Sequence, residues 1–215
     1  MSKPYTADDF SSLVTADRTW RIREISDLKT AIRSADQNLG RVLLRALVTI
    51  SYAHWEGHVR NSAKLYLTHV ALRKHPYASL NNQFLKNYFL PRLAALSKSK
   101  GSIESRCNLL DEILASSNRS FSKVNDDLIN TKSNLNSEVL KEICLVCDVS
   151  YQEFIEHEAF IDAMLLKRRN AIAHGEDTFM AKDDLDEVTN TTVALMRMFG
   201  DALDNKVQLK TYMAA

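Results

Sequence analysis

The stretch RVLLRALVTISYAHWEGHVRNSAKLYLTHVALR, residues 41–73, carries the pattern that sets the fold class. Its apolar side chains recur at spacings of three and four, which places them on one face of an α-helix. They include Leu43, Leu47, Ile50, Tyr66, Leu67 and Val70. His75 precedes a proline and therefore avoids the α region of the backbone, so the helix should end before it. We predict one long helix over about residues 41–73.

Helical patterns extend to both sides of this stretch. Upstream, Thr6 and Asp9 have the spacing of a capping box, and the helix they start should run to a turn at residues 36–40. Downstream, a helix is predicted over about residues 79–96, where Pro91 should kink or break it because proline removes a backbone hydrogen bond. Both neighbours of the long helix are therefore predicted to be helices as well.

The second half of the chain continues the same pattern. Short helices are predicted over about residues 103–114 and 137–147. Ser150 and Glu153 have the Ser-x-x-Glu spacing of another capping box, which should start the next helix. A last amphipathic helix begins at an aspartate, residue 183 or 184.

Composition agrees with an all-α fold. The 215 residues include 5 Gly and 3 Pro, whereas a β-sandwich or barrel needs many tight turns. Residues 116–136 are rich in Ser and Asn with few apolar anchors, and we interpret them as a loop-like polar insertion. We therefore predict an all-α helical bundle that forms one domain over residues 1–215, with its core over about residues 20–205.

Net charge and the absence of targeting signals limit which partners and which location we expect for the protein. The net charge of +1 gives no overall attraction for nucleic acid, so any RNA contact must rest on a local basic patch. The polar N-terminus has no signal-peptide pattern, and no apolar run reaches the ~20 residues of a membrane helix. The three cysteines suit a reducing compartment, and the pair Cys144 and Cys147, in an apolar stretch, is predicted to lie in the core. We expect a cytoplasmic protein without membrane contact.

Residues 167–176, KRRNAIAHGE, hold groups that can act on a phosphodiester. Arg169 is a permanent cation whose planar fork fits phosphate oxygens. Asn170 offers both a donor and an acceptor. The imidazole of His174 can take or give a proton through its ring nitrogens. Gly175 should end the helix directly after these residues.

Two arrangements of these side chains remain open. On an α-helix, Asn170 and His174 share a face, whereas Arg169 lies about 100° round from Asn170. Two such segments that face each other across a two-fold axis would bring both kinds of side chain around one cleft. Alternatively, Arg169 pairs with Glu158 or Asp162 on its own helix, and His174 only complements a helix terminus.

The string Arg169-Asn170-Ala171-Ile172-Ala173-His174-Gly175 resembles the signature of the HEPN family, in which an Arg is followed after four to six residues by a His. Two further regions resemble a bacterial branch of HEPN toxin and defence nucleases. One is the predicted helix with the sequence SYAHWEGH, residues 51–58, which continues to Tyr66, and the other is TKSNL, residues 131–135. Together these regions extend the resemblance over about residues 20–205.

The resemblance implies an all-α helical bundle that forms a homodimer and cleaves RNA without a metal or other cofactor. It implies that Arg169 and His174 are the catalytic pair at the dimer interface and that Asn170 supports them. Such proteins act in toxin–antitoxin and anti-phage systems, so an antitoxin or another regulatory protein is an expected partner. Some members have lost catalysis, and a HEPN module that only binds RNA or protein is therefore the alternative.

Polar groups near the motif have lesser predicted roles. The resemblance favours Glu56 as an auxiliary group in the RNA cleft, and Lys167 and Arg168 form a local basic patch that can bind RNA. His54, Glu56 and His58 suggest a metal site, but HWEGH lacks the His-Glu-x-x-His spacing and a third ligand is not evident. We therefore predict no metal.

Overall fold

The computed structural model describes residues 3–98, 102–115, 119–131 and 134–214. Helices make up 76% of the structure and its described residues form no strand, which confirms the all-α prediction. The α-helices in these ranges are α1 (Ala7–Ser34), α2 (Gln37–Leu72), α3 (Asn82–Lys98), α4 (Ile103–Leu114), α5 (Ser137–Val146), α6 (Arg168–Ala173) and α7 (Asp184–Gln208). None of the described helices combines the length and the apolar character that crossing a bilayer requires.

The long helices α1, α2 and α7 pack along one another and enclose most of the core. At its centre, the rings of Trp55 on α2 and Phe199 on α7 meet edge to face, with centroids 6.5 Å apart. Both side chains and the neighbouring Val59 are fully buried. Burial of an apolar side chain of this size contributes about 1.5–3 kcal/mol, so the apolar face of α2 is a main source of stability.

Capping side chains decide where α1 and α2 begin. The predicted capping box is confirmed: Thr6 Oγ1 accepts from the Asp9 N–H at 3.0 Å, and Asp9 Oδ2 accepts from the Thr6 N–H at 2.9 Å. The predicted turn over residues 36–40 is wrong. Asp36 Oδ1 accepts from the Leu39 N–H at 2.9 Å and so caps α2, which starts at the next residue.

Of the predicted kink or break at Pro91, the break does not occur, because helix α3 continues through the proline to Lys98. Buried polar side chains fix the helix just before the proline. Gln83 Nε2 donates to Asn87 Oδ1 at 2.9 Å, and Asn87 Nδ2 donates to the backbone carbonyl of Val146 at 2.8 Å. These bonds hold α3 against the end of α5 and offset the loss of one backbone hydrogen bond.

The polar segment after α4 is fixed to the core although it holds only a single 3₁₀ turn, Asp126–Leu128, among its described residues. Phe121 is buried, and its N–H donates to the carbonyl of His75 at 2.9 Å. Leu135 is fully buried just before α5. The segment is therefore packed against the helical core near both of its ends. Residues 116–118 and 132–133 of the predicted insertion lie outside the described residues.

Candidate active site

The motif lies on a helix whose hydrogen-bond pattern changes along its length. The helix begins as a 3₁₀ helix, Gln152–His157, continues as a π-helix, Phe160–Lys167, and ends as α6. The predicted Ser-x-x-Glu capping box is wrong, since the Ser150 hydroxyl accepts from the N–H two residues further on, at 3.3 Å. Residues five apart share a face of a π-helix, and this places both Phe160 and Leu165 in the core.

Gly175 ends the motif helix directly after His174, as predicted. Its φ of +80° lies in the left-handed region, which glycine adopts without strain. The Gly175 N–H donates to the carbonyl of Ile172 at 3.1 Å, and the Glu176 N–H donates to that of Ala171 at 2.9 Å. These two bonds form a Schellman motif. The last helical turn is therefore closed, and the exposed side chain of His174 is left at its rim.

Arg169 faces α2, and neither of the same-helix pairs considered for it is formed. Its Nη2 lies 4.0 Å from Glu56 Oε2, and its Cζ lies 4.1 Å from the centre of the Tyr52 ring. Asp162 instead accepts hydrogen bonds from the backbone N–H and the hydroxyl of Ser137, at 2.7 and 2.6 Å. The guanidinium is held in place by an acidic group and an aromatic face, with 21% of the side chain exposed.

Two polar side chains that the sequence did not single out complete this contact. The Thr131 hydroxyl donates to Glu56 Oε1 at 2.5 Å, and the Tyr52 hydroxyl accepts from the Leu135 N–H at 2.6 Å. Burial raises the pKa of Tyr52, and the charge of Glu56 raises it further, so the phenol stays neutral. We call Tyr52, Glu56, Thr131 and Arg169 the arginine cluster.

His174 and Asn170 share a face, as predicted, and both line a shallow depression of about 330 Å³. The other lining residues are Asp162, Leu166, Lys167, Ala171 and Glu176. Asn170 Nδ2 donates to Asn134 Oδ1 at 3.3 Å, which orients its amide. Arg169 does not line this depression. One chain therefore presents its imidazole and its motif guanidinium on different faces of α6.

A comparison with protein families shows which family the chain resembles over most of its length. The family model described as RiboL-PSP-HEPN matches residues 16–205. The chain belongs to this HEPN family. HEPN domains are generally RNases that bind RNA and dimerise, so membership indicates a nuclease or RNA-related role. No curated protein and no solved structure matches the chain significantly.

The two basic residues before Arg169 differ in their surroundings. Arg168 Nη1 lies 2.8 Å from Asp184 Oδ2, at the start of α7, and about a quarter of each side chain is exposed. Lys167 is exposed and lines the depression with His174. The two residues of the predicted basic patch therefore differ: Lys167 lines the depression beside His174, whereas Arg168 forms an ion pair that connects α6 to α7.

The histidines of the HWEGH string point away from the arginine cluster. His54 Nε2 lies 2.8 Å from Glu24, and His58 Nδ1 lies 2.8 Å from Asp17, both on α1. Glu56 faces α6 instead. No group of three or more His, Cys, Asp or Glu side chains that could hold a metal occurs among the described residues.

The Cys-x-x-Cys pair belongs to the core of this HEPN chain, as predicted. Cys144 and Cys147 are both fully buried, whereas Cys107 is exposed on α4. Burial raises the pKa of the Cys144 thiol to about 12, so the thiol stays protonated and is a poor nucleophile. The pair has a packing role.

Proposed function

We propose that this HEPN protein is a metal-independent endoribonuclease of the cytoplasm, in which Arg169 and His174 are the catalytic pair. The observation that carries the proposal is the position of His174, exposed at a closed helix end on an open depression with Asn170 and Lys167. Such a histidine can reach a substrate without any rearrangement of the core. Family membership supplies the chemical class of that substrate, RNA.

In the proposed reaction, the 2′-OH of a nucleotide attacks the adjacent phosphorus. The O2′–P bond forms and the P–O5′ bond breaks, which gives a 2′,3′-cyclic phosphate and a 5′-hydroxyl. His174 removes the 2′-OH proton or protonates the leaving O5′, and help of this kind contributes ~10²–10⁴-fold. Arg169 stabilises the charge that develops on the phosphorane oxygens. DNA lacks the nucleophile and is not a substrate.

A two-fold dimer completes the proposed site, because a single chain places Arg169 and His174 on different faces of α6. Two α6 helices that face each other would bring the guanidinium of one protomer to the imidazole of its partner. Asn170 supports the pair, and Glu56 orients Arg169 as an auxiliary group. Lys167 contacts the RNA backbone, with a smaller contribution from Arg168 because Asp184 partly neutralises its charge.

The test is an RNA cleavage assay with excess EDTA. We expect cleavage to persist, the products to carry 2′,3′-cyclic phosphates, and a single 2′-deoxy substitution at the cut site to stop it. His174→Ala should abolish cleavage, whereas the control His157→Ala, on the same helical segment, should not. Wild-type cleavage by the His174→Ala protein would refute the assignment.

The contacts of Arg169 with Glu56 and Tyr52 favour a second candidate function. In that case Arg169 is a structural residue, and the protein is a HEPN module that binds RNA or protein without cleaving it. RNA binding that is retained by Arg169→Ala, together with no cleavage by the wild type, would support this candidate over the nuclease.

We further propose that the nuclease acts as a toxin or an anti-phage effector, restrained by an antitoxin or another regulatory protein. Expression of the wild-type chain should then arrest growth, and expression of His174→Ala should not. Growth arrest by both proteins would separate the toxicity from RNA cleavage and contradict this role.

A further inference from the structure

Helix α4 carries an exposed apolar stripe that the proposed function does not use. The stripe consists of Ile103, Cys107, Leu110 and Leu114, at successive spacings of four, three and four residues. At about 100° per residue, these positions fall within about 60° of the helix circumference. Ile103, Leu110 and Leu114 are 80%, 58% and 83% exposed, and Cys107 is exposed as well. We call these four residues the α4 stripe.

The opposite side of α4 is already occupied. Leu109 is buried, and the Glu112 carboxylate accepts from both terminal nitrogens of Arg92 on α3, one of them at 2.8 Å. The Arg92–Glu112 pair connects α4 to α3 on the side away from the stripe, and the stripe itself faces outward. The stripe is therefore a property of the folded chain.

The spacing and the flanking charges of the stripe fit one occupant, a second copy of α4. Spacings of four, three and four are those of a coiled-coil seam, with Cys107 and Leu114 at a positions and Ile103 and Leu110 at d positions. In this register, Arg106 is at a g position and Asp111, five residues later, is at the following e position. Both side chains are exposed.

We propose that two chains associate through parallel α4 helices, at an interface separate from the α6 contact of the proposed function. In a parallel pair, Arg106 faces the partner's Asp111, and two-fold symmetry forms this favourable pair twice. In an antiparallel pair, Glu104 would face the partner's Asp111, and this like-charge contact disfavours that orientation. The stripe lies on a helix of only 12 residues, so the contact area is small. The association is therefore reversible and depends on concentration.

The exposed thiol in the seam supplies a direct test with the full chain. Symmetry-related a positions of a parallel pair lie about 6 Å apart between Cα atoms, within the range that a disulfide bridges. Mild oxidation should give a disulfide-linked dimer through Cys107, which dithiothreitol reverses and Cys107→Ser abolishes. Cys144 and Cys147 are buried and do not compete. A crosslink that survives Cys107→Ser, or no crosslink, would count against the parallel seam.

Sedimentation velocity measures the α4 association without a crosslink, as the concentration-dependent step beyond the α6 dimer. Leu110→Asp should weaken it about tenfold or more, whereas Leu145→Asp, at an exposed leucine on α5, should leave it unchanged. Circular dichroism checks that both variants keep their helices. If Leu110→Asp sediments as the wild type does over the whole concentration range, a second copy does not occupy the stripe and the proposal fails.

A charge exchange tests the orientation of the two helices. Arg106→Asp and Asp111→Arg should each weaken the association several-fold, and the double variant should restore it because the opposite charges face each other again. Failure of the double variant to recover would overturn the parallel arrangement. None of these substitutions touches the HEPN motif, so RNA cleavage should stay within about twofold of wild type in dilute solution.

Discussion

Helix α2 presents polar side chains on two faces, and the two faces are used in different ways. Toward α1, His54 and His58 meet the carboxylates of Glu24 and Asp17. Toward α6, Tyr52 and Glu56 meet Arg169. Both faces of this single helix therefore carry ionisable side chains that pair with groups of opposite charge.

The face toward α1 is an internal network of matched charges. Asp17 accepts from Arg21 Nε at 2.9 Å and contacts His58 Nδ1 at 2.8 Å. Burial raises the pKa of Asp17, but the hydrogen bonds from His58 and Arg21 and the charge of Arg21 outweigh it and lower the pKa. A β-carbon at Gly57 would lie 2.6 Å from Arg21 Nη1, so the glycine lets this guanidinium approach α2 closely. The network serves stability.

The face toward α6 ends at the molecular surface. Arg169 is held by Glu56 and Tyr52, but it is adjacent in sequence to Asn170, which lines an open depression with His174. The comparison teaches that a contact within the chain does not by itself give a charged residue a structural role. What distinguishes the face toward α6 is that α6 itself continues to an exposed side chain, that of His174.

The largest expected effect comes from mixing two inactive variants. Arg169→Ala and His174→Ala should each lose ~10²–10⁴-fold in cleavage rate. If the site combines groups from two protomers, mixed dimers contain one complete site, and an equal mixture should recover about a quarter of the wild-type activity. Cleavage of labelled RNA by the mixture measures this, and mixed dimers co-purified through two different tags should show about half of the wild-type activity. A mixture as inactive as its components would place both groups in a site within one chain.

A smaller effect, on stability rather than activity, is expected at the face of α2 toward α1. Asp17→Asn removes the carboxylate that Arg21 and His58 share and should lower the free energy of unfolding by about 2–3 kcal/mol. Urea denaturation measures this change. The matched control is Asp27→Asn, at an exposed position of the same helix, which should stay within about 0.5 kcal/mol of wild type. Equal values for the two variants would contradict a stabilising network.

Glu56→Gln tests whether the carboxylate on the face of α2 toward α6 orients Arg169. The amide keeps the shape of the side chain and can still accept from Thr131, but it no longer attracts Arg169. We expect about a tenfold fall in kcat with little change in unfolding free energy, because Arg169 is less well oriented. The control, Glu24→Gln, alters the partner of His54 and should leave kcat within about twofold. A loss of stability without a loss of kcat would assign Glu56 to the fold.

The smallest effect is a pH dependence of stability from buried histidines. Burial lowers the pKa of His54, and the charge of Arg21 adds to this; burial also lowers the pKa of His69. The unfolded imidazoles take up protons as the pH falls through about 6.5, whereas the folded ones do so only at lower pH. Stability should therefore be full above about pH 6.5 and decrease by about 1 kcal/mol toward pH 5.

Urea denaturation of wild type and of His54→Gln at about pH 7 and pH 5 checks this dependence. The variant should show a shallower dependence on pH, and His157→Gln, at a partly exposed position, should match the wild type. An unchanged slope in His54→Gln would mean that other groups set the acid sensitivity.

The fold could be predicted wherever a helix is specified by its own residues. The capping box of α1 and the Gly175 end of α6 depend on atoms a few residues apart, and both predictions are confirmed. The wrong predictions concern places where distant contacts decide. Pro91 stays within α3, because Asn87 anchors this helix to the end of α5. Ser150 does not form the predicted capping box, and the helix that follows it is determined instead by the burial of Phe160.

The site follows the same division. The motif residues could be proposed from the sequence because they form a continuous string. Tyr52 and Thr131 were missed because their contacts join segments that are far apart in the sequence. The spacing of four residues between Tyr52 and Glu56 places them on one face of α2, and this signal could have identified Tyr52.

The π-helix Phe160–Lys167 leads directly into the motif. A π turn holds one residue more than an α turn, so the loss of one codon at the exposed Ala163 would let this segment adopt the α pattern. Arg169 and His174 would then keep nearly the same direction, because an α turn with one residue fewer covers the same rotation as the π turn. The length of this segment can therefore differ by one residue while the motif still faces the same side of the molecule.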